Sequence, residues 1–399
     1  MKLLSTEIKN KVLDSMMHII QLRESEILEA NKKDLEAFNR DDQALYDRLV
    51  VNDSKIKGMI QAIKEVKEQD DPVSQEISNI TLDSGLNIVN KTAPFGTIMI
   101  IYESRPDVTI EAAVLAFKAN NKILLKGGKE AYNSNVVLVD CWKQALRENS
   151  LDESWITMLQ MNRDETQEFL RNPDQPLDLI VPRGGERLID FVKQHAKCAV
   201  LISGRGNNFL YVHPEADWKK TIDVIINAKT DKISGCNALD KVLVDTNLPE
   251  YESRLRELNE ILNAKGVEVL ADTISKDVLK DNEVLPTEDT WYEEFLAMKI
   301  VLGAVNGIDE AMTKINTYSG GHSSTIMTQD VEAATRFMEN IDTAAVYHNA
   351  STRFTDGGQM GVGAELAIST DKLHHRGPLG LKQLVTNKYY VYGDGHIRI

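Results

Sequence analysis

The stretch from Thr97 to Tyr102 reads TIMIIY, a near-continuous apolar run too short for a helix and lacking the alternation of a half-exposed strand. Such a run must be covered on both faces, which a parallel sheet between layers of helix provides. The pattern repeats along the chain. A helix with the apolar face Val108, Ala112, Leu115, Ala116 and Ala119 follows it. Then come Ile123-Leu124-Leu125 and a helix from about Tyr132 to Arg147. Leu177 to Val181, Ala199 to Ile202 and Phe209 to Val212 are further strands, with a helix from Gly185 to His195 among them. Runs of this kind separated by helices predict βαβ units, a Rossmann-like half. The alternation resumes after residue 236, with strands expected at Lys241–Val244, Val267–Leu270, Ala297–Leu302, Thr325–Met327 and Ala344–His348. The class is therefore α/β with two such halves.

Ahead of these units, Ile8, Val12, Met16, Ile19 and Ile20 recur at helical spacing, and helical patterning runs on to about Val66. Asp70-Asp71-Pro72 ends it, since proline has no N–H to donate and disfavours helix in the residue before it. At the other end Lys388–Val391, Gly393-Asp394-Gly395 and Ile397 read as a strand or hairpin that pairs with another subunit. With 399 residues, two or three domains are expected, because one core rarely grows past roughly 250 residues. The division expected is a cofactor-binding domain over 1–230, with its core from about 93, and a catalytic domain over 231–375. Strands at 82–92 and 384–399 would form a small β oligomerisation flap.

A net charge of −15 excludes nucleic acid and anionic membranes as main partners, because both would be repelled. An anionic small molecule needs local cations instead, so arginines and lysines in loops matter. Three widely spaced cysteines, Cys141, Cys198 and Cys236, fit neither a disulfide framework nor a thiolate metal site, and no helical His pair or carboxylate cluster suggests a metal. No window approaches the ~20 apolar residues of a membrane helix, and Met1 to Glu7 turns polar too soon for a signal peptide. The expectation is a cytoplasmic protein.

Cys236 sits in Lys232-Ile233-Ser234-Gly235-Cys236-Asn237-Ala238, after a helix bearing Trp218, Ile222, Ile225 and Ile226 and before a strand. Serine and glycine imply a turn, placing the thiol on a loop or at a helix start where backbone N–H groups favour the thiolate and serve an oxyanion. The competing interpretation is a small buried hydrophobe, which fits Cys141 and Cys198 better. Lys126-Gly127-Gly128-Lys129 ends one strand, and Pro182-Arg183-Gly184-Gly185 ends another and opens a helix. Ligands of open α/β sheets bind at strand ends, and a glycine-led helix start accepts pyrophosphate. Either pair could also be a plain turn; together they suggest a dinucleotide, without the GxGxxG loop. Arg105, Arg353 and His322 lie in loops and could clamp a carboxylate or phosphate, or be solvated turn residues.

Several longer strings carry a resemblance: IYESRPDVT, NKILLKGGKEA, VPRGGERLI, CNA at Cys236, EEFLAMKI, YSGGHSS and NASTRFTDGGQMGVGAELAIS. From about residue 86 to the C-terminus the chain resembles, in matching order, the γ-glutamyl phosphate reductases (glutamate-5-semialdehyde dehydrogenases) of the aldehyde dehydrogenase superfamily. The resemblance implies an aldehyde dehydrogenase-like fold and an NADP-dependent, phosphorylating enzyme of proline biosynthesis. It implies reduction of L-glutamyl 5-phosphate by NADPH through a thioester on Cys236, with Ser104 as oxyanion donor. Lys126, Gly127, Gly128, Lys129, Arg183, Gly184, Gly185 and Glu294 would bind the cofactor. Arg105, Asn237, His322 and Arg353 would bind substrate. A homo-oligomer is expected, and glutamate 5-kinase, which makes the labile substrate, is a candidate partner. Lys129 stands where NAD-preferring relatives place a glutamate, favouring a 2′-phosphate. Leu201 to Gly206 holds no carboxylate to activate water, so phosphate is the natural partner of the thioester. The chain departs from the family pattern at Ile233-Ser234-Gly235, at Asn207-Asn208-Phe209 and at Ser324. Alternatives are a CoA-acylating aldehyde dehydrogenase and a catalytically retired oligomeric binding protein.

Overall fold

The computed structural model describes residues 2–39 and 43–398. It divides into two compact units: residues 1–202, 362–367 and 379–399 in the first, and 203–361 with 368–378 in the second.

In the first unit, helices Thr6–Leu22, Glu24–Ala37, Gln43–Leu49 and Asp53–Glu68 precede a five-stranded parallel sheet. Its order is Ile156–Met158, Lys122–Lys126, Thr97–Tyr102, Leu179–Arg183, Ala199–Val200. The TIMIIY strand is central and wholly buried. Its side chains divide as strand geometry requires: Ile98, Ile100 and Tyr102 pack into one core with helices Pro106–Lys118 and Tyr132–Glu148, while Met99 and Ile101 join the core on the opposite face. The chain moves outward from the centre on one side and then returns to the other. The ends of Thr97–Tyr102 and Leu179–Arg183, paired at Tyr102 and Arg183, therefore form a topological switch point, where ligands of open sheets bind.

The second unit holds a seven-stranded parallel sheet in the order Glu283–Val284, Glu268–Ala271, Lys299–Val305, Leu239–Asp245, Asn208–Val212, Ser323–Met327, Ala345–His348. It too has a core on each face. Leu210, Val242 and Ile300 lie in one, Phe209, Leu243 and Val301 in the other.

Two expectations change. The division falls at 202/203 rather than 230/231, because strand Asn208–Val212 pairs with Leu239–Asp245 and Ser323–Met327. Helix Trp218–Thr230 goes with it. The expected C-terminal strand is Val385–Tyr392; it runs antiparallel to Asn87–Pro94, which also pairs with Glu76–Thr81, and stands at an edge of that sheet. Only part of 82–92 is strand, since the chain turns between Thr81 and Asn87. No helix among the described residues is long and apolar enough to cross a membrane.

Candidate active site

Cys236 lies in the turn between helix Trp218–Thr230 and strand Leu239–Asp245, partly exposed. No helix begins there, so no helix dipole supports its thiolate. The other two cysteines are poorer nucleophiles: burial pushes the Cys141 thiol up to about 11 and raises that of Cys198.

The site of the second unit stands at the N-terminal edge of its sheet. Three turns there each carry a Ser-Gly pair just ahead of a strand: Ser203-Gly204, Ser234-Gly235 and Ser319-Gly320. Their backbones touch. A Cβ on Gly206 would fall on the backbone of Cys236, and one on Gly320 on the carbonyl of Arg205. Only glycine permits this approach. The repeated Ser-Gly pairs were the sequence signal of this convergence.

Asn237 and Arg353 lock the other side of the turn. The Asn237 amide donates to the carbonyls of Thr355 (3.0 Å) and Arg353 (3.2 Å), and its own carbonyl accepts from Thr352 Oγ1 at 2.7 Å. Arg353 Nη1 donates to Asn237 Oδ1. Arg353 Nε and Nη2 both meet Asp231 Oδ2 at 3.0 Å, an exposed carboxylate in the guanidinium's reach. Arg353 thus stands beside Gly235 and Asn237.

His322 is different. It is fully buried, with Nδ1 2.8 Å from Ser323 Oγ and Nε2 without a hydrogen-bond partner. Burial lowers its pKa to about 4, leaving a neutral ring near pH 7. The ring therefore adds no positive charge to the site, and an N–H is all it has to offer an anion. Ser323 Oγ continues to Thr355 Oγ1 at 2.6 Å, and Tyr347 OH to the same atom at 2.7 Å, so His322 supports the Arg353 loop.

Glu294 lies in the segment after Trp291, partly buried. That segment is held by groups the sequence did not single out. Lys241 Nζ donates to the Glu293 carbonyl (2.8 Å) and Asn207 Oδ1 (2.9 Å) and sits 3.9 Å from the Phe295 ring centroid. The Asn207 amide reaches the carbonyls of Trp291 (2.7 Å) and Tyr318 (2.9 Å). Burial pulls Lys241 down to about 7.

The first unit carries the glycine turns. Lys126 ends strand Lys122–Lys126, Gly127 and Gly128 follow it, and Lys129 opens a short 3₁₀ turn with its side chain exposed. Lys126 folds back onto the Gly127 carbonyl at 3.0 Å, and burial lowers its pKa. Gly184 and Gly185 are exposed at the start of helix Glu186–His195, with Gly185 as its N-cap. The carboxylate of Glu103 already lies there, 3.5 Å from the Gly185 N–H. Space around Gly185 is otherwise open. A helix start at a switch point with a carboxylate beside it fits an anion such as a dinucleotide pyrophosphate.

Arg183 does not belong to that anion site. Its guanidinium donates to the backbone carbonyls of Leu366 and Glu365, and burial lowers its pKa. It braces the chain inside the first unit. Ser104 is buried at 3% exposure in the loop after the central strand. Arg105 beside it pairs with Asp107 at 2.8 Å.

Two parallel sheets, a cysteine turn at the N-terminal edge of one and a glycine-led helix start at the switch point of the other define an aldehyde dehydrogenase-type protein. The aldehyde dehydrogenase family model matches residues 274–365. An acetylating aldehyde dehydrogenase from Geobacillus thermoglucosidasius, 17% identical, shares the fold with a TM-score of 0.66 over 99% of this chain and 94% of that one. Closer similarity is found to a γ-glutamyl phosphate reductase of Persephonella marina, 41% identical across 99% of this chain and 90% of that protein. The crystal structure of the γ-glutamyl phosphate reductase of Thermotoga maritima is 42% identical, with a TM-score of 0.95 over 99% of this chain and 95% of that chain. The chain belongs to the γ-glutamyl phosphate reductase family.

The close approach at Gly206 makes a stability prediction. Gly206→Ala will cost about 1–3 kcal/mol, because the added methyl meets backbone that cannot rotate away. Gly58→Ala, into open space within helix Asp53–Glu68, will leave stability unchanged or raise it by up to about 1 kcal/mol. Urea unfolding of both variants checks the pair; equal losses would refute the packing argument.

Proposed function

We propose that this chain reduces L-glutamyl 5-phosphate to L-glutamate 5-semialdehyde with NADPH, releasing phosphate, the second step of proline biosynthesis from glutamate. The observation that carries the reading is Cys236 held in a turn with the Arg353 guanidinium fixed beside it. The Cys236 thiolate attacks the acyl carbon, the bond from that carbon to the phosphate oxygen breaks, and phosphate leaves, giving a thioester. NADPH supplies the hydride that takes the thioester to the aldehyde oxidation level. Collapse then returns the thiolate of Cys236. Its backbone N–H is a donor for the oxyanion of each step, and Ser104 is the candidate second donor.

Arg353 is the first choice for the anionic substrate. Nε and Nη2 of Arg353 converge on one oxygen of the exposed Asp231, the position a phosphate or carboxylate would take, and exchange for a substrate anion keeps both donors paired. Arg105, paired with Asp107, is the candidate for the other anionic end. Asn237 acts by keeping the Arg353 loop against the nucleophile.

For the cofactor, Gly184 and Gly185 with the start of helix Glu186–His195 would hold pyrophosphate. Lys126, Gly127 and Gly128 would line the adenosine side. Lys129, exposed at the end of its strand, suits a 2′-phosphate and so favours NADPH over NADH. Glu294 is the candidate contact to the nicotinamide ribose. These assignments make 1–202 the cofactor-binding part and 203–361 the catalytic part.

A second copy of the chain is the partner expected at the three-stranded sheet. Val385–Tyr392 is its edge strand, with Tyr389, Val391 and Tyr392 more than half exposed, as is Ile77 on the opposite edge strand. An unpaired edge of this kind invites pairing. Sedimentation as a monomer at micromolar concentration would remove this part of the proposal. Association with glutamate 5-kinase and residence in the cytoplasm belong to the same reading.

Cys236→Ser will abolish phosphate- and NADP⁺-dependent oxidation of glutamate semialdehyde while still binding NADPH, followed by nucleotide fluorescence. Substantial residual turnover would remove the nucleophile. Lys129→Glu will lower the NADPH-over-NADH preference in kcat/KM by about tenfold, one charge contact's worth; an unchanged ratio would discard the 2′-phosphate argument.

A further inference from the structure

Strand Asn208–Val212 changes register where it meets its neighbour: Asn208 pairs with Leu239, but Phe209 pairs with Lys241, so Asp240 is passed over. Such an irregularity takes backbone groups out of the ladder. The Asn208 side chain stands at that point, wholly buried. Its Nδ2 lies 2.7 Å from the Ala238 carbonyl, 2.8 Å from the Cys236 carbonyl and 2.9 Å from the Gly206 carbonyl. Its Oδ1 accepts from the Ser323 N–H at 3.0 Å. One amide thus joins three segments at the N-terminal edge: the Gly206 turn, the Cys236 turn and the first residue of strand Ser323–Met327.

We infer that Asn208 is a positioning residue for the nucleophile, fixing the direction in which the Cys236 side chain leaves the backbone. The peptide plane following Cys236 is set by its carbonyl on Asn208. The plane preceding it is set by the Gly235 carbonyl, which accepts from the Ala238 N–H at 3.0 Å. With both planes held, φ and ψ of Cys236 are held, and the thiol keeps only its χ1 rotation. The Cys236 N–H belongs to the second of these planes and points opposite the Gly235 carbonyl. Its aim is therefore set with the thiol's. Asn208 touches no reacting atom; its whole effect passes through the Cys236 backbone.

Other side chains do not replace this arrangement. A carboxylate at 208 would keep the bond from Ser323 but turn an acceptor toward three carbonyls. Alanine or serine would leave those carbonyls without the amide in a buried place, and the turn would relax toward other partners.

The inference rests on Cys236 being the nucleophile, and the experiment separates the two. Asn208→Ala, Asn208→Ser and Cys236→Ser are purified full length and compared with wild type. Readouts are circular dichroism, kcat and KM for phosphate-dependent semialdehyde oxidation, and the pH dependence of Cys236 alkylation by iodoacetamide, followed by peptide mass spectrometry. Folded Asn208 variants are expected to lose about tenfold or more in kcat, with KM within about threefold. Their Cys236 alkylation profile should differ from wild type, as the thiol no longer keeps one direction out of the turn. A purely scaffolding role would leave the alkylation profile in place. Wild-type kcat and alkylation in a folded Asn208 variant would overturn the inference. So would loss of the fold in both variants, because Asn208 would then be a general core residue. Turnover retained in Cys236→Ser removes the nucleophile itself. A dead Cys236→Ser beside fully active Asn208 variants removes only the positioning.

Discussion

Backbone packed directly on backbone at the N-terminal edge of the seven-stranded sheet is the constraint from which the catalytic unit follows. Gly206 lies so close to Cys236, and Gly320 to Arg205, that neither position has room for a side chain. The contact puts the cysteine turn, the Ser203–Gly206 turn and the Ser319–Gly321 turn into one layer. Carbonyls in that layer lose access to water and must be met from within. Asn208 meets those of Gly206, Cys236 and Ala238, while the amides of Asn207 and Asn237 tie the layer to the carbonyls of Trp291 and Tyr318 and to those of Arg353 and Thr355. Three asparagines therefore do together what a ladder of strands cannot do where strands begin. Buried amides are costly when unpaired, so each also fixes the segments that satisfy it.

The same layer explains how a chain with net charge −15 can take an anionic substrate. Long-range attraction is unavailable, so the anion must be met by a few local cations. Arg353, paired with Asp231, is the candidate among them; Lys241, wholly buried and pulled down to about 7, is committed to the Glu293 carbonyl and Asn207 instead. In the first unit the anion site is made from backbone, at Gly184 and Gly185, with the Glu103 carboxylate beside it. Carboxylates thus stand at both candidate anion sites, and each can be exchanged for a phosphate without leaving a cation or a helix start unmatched.

Much of the fold was legible because its strands are buried on both faces. TIMIIY, the later apolar runs and the helices between them fall within a few residues of their expected positions. What was missed lacks that signal. Glu76–Thr81 is exposed at almost every residue, so neither burial nor alternation marks it in the sequence. The unit boundary was placed late because helix Trp218–Thr230 has the same texture as the helices before it. In the candidate site, the turn that carries Cys236 was legible from Ser234 and Gly235 before it. Arg183 was not: an arginine at a strand end looks the same whether it faces a phosphate or turns inward. Its partners, the carbonyls of Glu365 and Leu366, lie far along the chain. The burial of His322 was hidden for the same reason, since burial is a property of the whole unit. Asn207, Asn208 and Lys241 look like ordinary polar residues until the edge of the sheet brings carbonyls around them.

The central claim is that a glutamyl group becomes bonded to the sulfur of Cys236. The most direct measurement is mass spectrometry of the chain after incubation with glutamate semialdehyde and NADP⁺ in the absence of phosphate, when the acyl group has no acceptor. The account predicts the mass of one glutamyl group on the peptide containing Cys236. Its appearance only on Cys141 or Cys198, or the absence of any adduct from an active preparation, would contradict it.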